Sequence, residues 1–129
     1  MKMETVKRIV KEIYPKIMDY YGTSKFESET PYVEYERSIY ERLSGEDDDG
    51  TTGDDSPQAE FDRIDNSIVL YYPKMVSRKH IIQCLVHEYQ HYLQSPIWMK
   101  RYYTMGHSYS SHPYEVAAYK EEDNYKLFS

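Results

Sequence analysis

Apolar residues recur at helical spacing near the start of the chain, where Val6, Ile9, Val10, Ile13, Ile17 and Tyr20 alternate with Lys and Glu over residues 3 to 21. The pattern predicts an amphipathic first helix, with Pro15 as the point where it kinks or ends. Breakers follow from Gly22 to Thr30. Tyr32, Val33, Tyr35, Ile39, Tyr40 and Leu43 then have a period ambiguous between strand and helix, which we read as strand. Residues 60 to 72 combine an Asp65-Asn66 turn signal with the β-branched and aromatic run Ile68 to Tyr72, a strand that Pro73 terminates. Ser77 is placed as an N-cap, and Ile81, Ile82, Leu85, Val86, Tyr89 and Leu93 continue at helical period until Ser95-Pro96. Ser95 opens a short helix ending near Gly106, and Ser111 or His112, before Pro113, opens a last one towards Phe128. A helix, strands and then further helices read as α+β with a small antiparallel or mixed sheet.

The run Gly45 to Pro57 contains no apolar residue before its proline and carries dense negative charge, so a solvated loop is expected there. A calcium loop does not fit it: with Gly50 as the sixth position, Gly45 and Ser56 occupy the first and twelfth, where carboxylates are required. The whole length of 129 residues suits one domain, and sixteen tyrosines make its core aromatic and modest. A net charge of −6 without a basic stripe argues against nucleic acid as a partner. Charges interrupt the N-terminal apolar residues every few positions, so neither a signal peptide nor a membrane span is expected there. Cys84 is the one cysteine and lies among Ile81, Ile82, Leu85 and Val86. It reads as a buried small hydrophobe rather than a nucleophile, and it suits a reducing, cytoplasmic setting.

Residues 87 to 91 read His-Glu-Tyr-Gln-His, an HExxH pattern within the best-supported helix. Two histidines four apart differ by only ~40° around a helix and by about 6 Å along it, so both imidazoles can meet one ion. His80 shares that face but lies about 10 Å away along the axis. Zinc in a catalytic site takes three protein ligands and leaves a fourth position for water. His87 and His91 are therefore candidate metal ligands, and Glu88, beside but not on the ion, is the candidate general base.

A third ligand has to come from downstream. Glu115 in HPYEVAAYKEED is the leading candidate, since Ala117 and Ala118 after it would let the last helix approach the histidine-bearing one. His112 and then His107 are the alternatives. A third histidine at the metzincin spacing is ruled out, because Ile97 stands there.

HEYQHYLQ followed by HPYEVAA resembles a gluzincin, especially the minimal phage-type and prokaryotic single-domain metallopeptidases, over roughly residues 60 to 125. The resemblance implies a zincin-like fold in a single domain over 1–129, with an active-site helix and a C-terminal ligand helix. It also implies a Zn2+ site of His87, His91 and Glu115, and hydrolysis of a peptide or protein substrate in a cytoplasm, a host's if the chain is phage-encoded. The strand Ile68 to Tyr72 would line the cleft and take an extended peptide by β-addition. Larger gluzincins carry an Asp four residues after the ligand Glu, where this chain has Tyr119. Tyr119 and Glu122 are the candidates to support a ligand in its place. An oxyanion donor is expected among Tyr109, Tyr114, His107 and His112. A zinc-containing binding or regulatory module with little turnover would share the same ligand set.

Overall fold

The structure, a computed structural model, describes residues 1–38 and 57–129. Its elements run α1 (Met3–Tyr21), β1 (Tyr32–Glu36), β2 (Ala59–Asp62), β3 (Ser67–Tyr71), a 3-10 turn (Tyr72–Lys74), α2 (Arg78–Leu93), α3 (Pro96–Thr104), α4 (Pro113–Glu121) and a final 3-10 turn (Glu122–Leu127). The class is α+β. The sheet is three-stranded and mixed, in the order β1-β3-β2, with β1 parallel and β2 antiparallel to β3. The acidic run up to Ser56 and the calcium reading lie outside the described residues, as do Ile39, Tyr40 and Leu43.

α1 runs unbroken through Pro15 and buries Val6, Ile9, Val10, Ile13, Tyr14 and Ile17 on one side. It ends at Gly22, whose φ of 76° is a conformation that a residue with a side chain rarely adopts. Tyr89 of α2 donates a hydrogen bond to the Gly22 carbonyl at 2.5 Å, which fastens this helix end to the middle of α2. The stripe of α1 meets Ile81, Ile82, Leu85, Val86, Tyr89 and Tyr92 of α2 and Ile68 and Leu70 of β3 in one hydrophobic cluster. Apolar area removed from water is its main stabilising contribution, at about 25 cal/mol per Å².

The turn signal at Asp65-Asn66 forms the β2–β3 hairpin. Asp62 accepts from the backbone N–H groups of Ile64 and Asp65, and Asn66 takes a positive φ of 52°. The strand before this turn was not evident from the sequence, because Ala59–Asp62 is short and partly exposed at every position. Its presence alters the place of β3. With β1 on one side and β2 on the other, β3 is central and buried at all five positions, so it cannot offer an edge to a peptide. The strand that lines the cleft is β2.

Ser77 caps α2 by accepting from the His80 N–H, Ser95 caps α3, and His112 rather than Ser111 caps α4. The last helix ends at Glu121 and tightens into the 3-10 turn instead of continuing towards Phe128. Ala118 is buried but Ala117 is exposed, so only one of the two small residues faces the interior. α3 buries no residue fully, and Trp98 and Tyr103 are exposed. Among the described residues no helix is long and apolar enough to cross a membrane.

Candidate metal centre

α2 carries two kinds of side chain. The residues that meet α1 and β3 are apolar, while His87, Glu88 and His91 are also buried, at 6–8% exposure. Buried ionisable groups at such a density need partners, because an isolated charge in an apolar interior is strongly disfavoured. α4 supplies them. Glu115 in its first turn, 4% exposed, sets one carboxylate oxygen 2.6 Å from His91 Nε2 and the other 3.2 Å from His87 Nε2. The two imidazole rings are 5.0 Å apart, centre to centre. Potential ligand atoms of His87, Glu88 and His91 fall within 4.8 Å of one another, making a buried His-Glu-His group that could hold a metal ion.

The far nitrogens of the imidazoles are also engaged. His87 Nδ1 is 2.8 Å from a carboxylate oxygen of Glu122, and His91 Nδ1 is 2.7 Å from the amide oxygen of Gln94. Both of those oxygens accept, so each ring carries a hydrogen on Nδ1, and each Nε2 points to the same place. The Tyr119 ring packs edge-on against His87 with centroids 4.7 Å apart. Glu122 was already a sequence candidate for this support; Gln94 was not, since an amide at a helix end carries no local signature. Arg63 of the hairpin turn was missed too. It donates to the backbone carbonyls of His91 at 2.7 Å and Gln94 at 3.3 Å, and pairs with Glu27. The freed carbonyls at the C-terminal end of α2 thereby gain a cationic donor.

The electrostatics follow from three carboxylates set around two rings. Burial alone would lower the pKa of His87, but hydrogen bonds to Glu115 and Glu122 and the nearby Glu88 more than offset it and hold it at about 10. Burial would raise Glu115, yet His87 and His91 pull it well below the ordinary carboxylate range. Glu88 is raised by burial, against the opposing pull of His87 and His91. The cluster favours positive charge at its centre. Two Nε2 atoms and a carboxylate that converge there are a donor set suited to zinc.

A cleft opens over the cluster in two arms, of about 370 and 630 Å³, which share Pro57, Ala59, Glu88 and Tyr109. The smaller arm runs past His87 to Gln58, His80 and Gln83, and the larger past His91 to Phe61, Met99 and Tyr103. Comparison with family models, with curated proteins and with solved structures gives no match. The reading of the site therefore stands on its geometry.

The alternative ligands are elsewhere. His112 is fully buried, accepts from the Tyr114 N–H through Nδ1 and reaches the Met99 carbonyl through Nε2 at 2.8 Å, so both nitrogens are used. His107 stacks against Tyr102. His80 meets Gln58 at 2.7 Å and the Val76 N–H. Of the four candidate oxyanion donors only Tyr109 lines the cleft. Cys84 lines the smaller arm, and burial, then Glu88 and Glu122, push its thiol up to about 12, which leaves it no thiolate near neutrality.

Proposed function

We propose that this chain is a small zinc-dependent peptidase of the zincin type, with His87, His91 and Glu115 as metal ligands and Glu88 as general base. The observation that carries this reading is the convergence of His87 Nε2 and His91 Nε2 on the Glu115 carboxylate, with Glu88 buried beside them. An ion held there supplies Lewis-acid polarisation of a substrate carbonyl and acidifies a water molecule.

The chain's own groups do the rest. Glu88 borders both arms of the cleft, so one of its carboxylate oxygens can take the proton of the attacking water and return it to the departing amine. Burial raises its pKa, which suits a group that must hold that proton between the two transfers. β2 has no strand neighbour on its outer side among the described residues, so an extended peptide can lie along it across the metal position. Tyr109 borders both arms beside Glu115, and we assign it as the donor to the oxygen that gains charge.

The test combines metal content with turnover. Purified wild-type protein should hold one equivalent of zinc, and His91→Ala and Glu115→Ala should lose it or bind it far more weakly. Glu88→Gln should keep the zinc while peptide hydrolysis falls by about 10²- to 10⁴-fold. Wild-type protein that takes up no zinc on dialysis, or a fully active Glu88→Gln, would sink the reading.

A further inference from the structure

Gln94 occupies the C-cap of α2 and is held there by its own backbone, whose N–H donates to the His91 carbonyl at 3.3 Å and whose carbonyl accepts from Arg63. Its side chain reaches two elements at once. The amide oxygen is 2.7 Å from His91 Nδ1, and the amide nitrogen donates to the backbone carbonyl of Tyr114 at 3.1 Å. Tyr114 directly precedes Glu115, whose carboxylate oxygen is 2.6 Å from the other nitrogen of His91. The contacts close a ring: imidazole, Gln94 amide, Tyr114 carbonyl, Glu115, imidazole.

Only one orientation of an amide completes this ring. A flipped amide would set oxygen against the Tyr114 carbonyl oxygen, and a carboxylate would do so in either orientation. We infer that Gln94 is a positioning residue that couples the two helices bearing the candidate ligands, and that an amide is required there because one group must both accept from His91 and donate to Tyr114. The inference rests on the metal-site reading above. It parts from the simpler view that Gln94 is only an acceptor for His91, because on that view a carboxylate would be the better partner.

Gln94→Glu therefore decides by direction. Zinc affinity is measured by competition with a chromophoric chelator for wild type, Gln94→Glu and Gln94→Leu, with circular dichroism to check folding. Both variants are expected to bind zinc about 10- to 100-fold more weakly than wild type. Gln94→Glu binding as tightly as wild type, or more tightly, overturns the inference while leaving the metal site standing. A second readout is made on metal-free protein: the His91 Nδ1–H donated to the Gln94 amide oxygen should give a solvent-protected ¹H–¹⁵N signal in wild type that is lost to exchange in Gln94→Leu. If wild type takes up no zinc, the metal reading falls, and the ring resonances decide the positioning claim alone. An Nδ1–H signal equally protected in Gln94→Leu overturns it.

Discussion

A histidine's chemistry is set by what each of its two nitrogens touches, and spacing along a chain cannot report that. His87, His91 and His112 are similarly buried, yet two present Nε2 to a shared carboxylate while the third spends both nitrogens on backbone. His112→Ala should therefore cost stability and spare the metal. The Tyr114 N–H loses its cap and the Met99 carbonyl its donor, so we expect a loss of about 1 to 3 kcal/mol in denaturant unfolding at unchanged zinc stoichiometry. Loss of zinc in a folded His112→Ala protein would contradict the assignment. At this scale the HExxH pairing was legible because a helix makes positions four apart neighbours. Glu115 was legible only as a candidate, since its acidic place in a first turn is equally explained by the helix dipole. Gln94 and Arg63 were not legible, because their partners are a ring nitrogen and carbonyls whose positions depend on how the helix end and the hairpin meet.

At the level of elements, long periodic segments were readable and short ones were not. α1 and α2 carry enough turns for their apolar stripes to show, and Ser77 and Ser95 mark starts through the N–H groups they accept from. Pro15 left α1 continuous, although proline removes one backbone donor there, because the buried side chains on either side hold both halves against the same surface. β2 has four residues, none fully buried, so it shows no periodicity; without it β3 looked like a cleft strand. α1 contributes no side chain to the candidate site, and its weight can be tested separately. Ile13→Ala, at a fully buried position facing α2, should destabilise the protein by about 2 to 5 kcal/mol, while the exposed Lys11→Ala should shift it by less than about 0.5. Equal effects of the two in urea unfolding would show that the α1 stripe is not part of the core.

For the whole molecule, the abundance of tyrosine sets how it meets alkali. Burial raises the pKa of Tyr35 and Tyr89 to about 12 and moves Tyr14 and Tyr21 upward as well. Folding then favours the neutral phenol, so this contribution to stability is complete below the ordinary value of 10.0 and is lost as pH rises through about 12. Phenolate absorbance should rise in stages, with Tyr14 and Tyr89 contributing only as the far-ultraviolet signal collapses. A single stage with the fold intact would be the contrary result. α2 adds a constraint that operates over generations of the sequence. One side of it is committed to the core through Leu85 and Tyr89, and another to the cluster of His87, Glu88 and His91, so a substitution that turns this helix disturbs packing and chemistry together. Little of α2 is free to drift. New preferences would have to be acquired on the opposite wall, at Met99 and Tyr103, whose side chains border the larger arm and lie outside the hydrophobic core cluster. Adaptation in this molecule is channelled to α3.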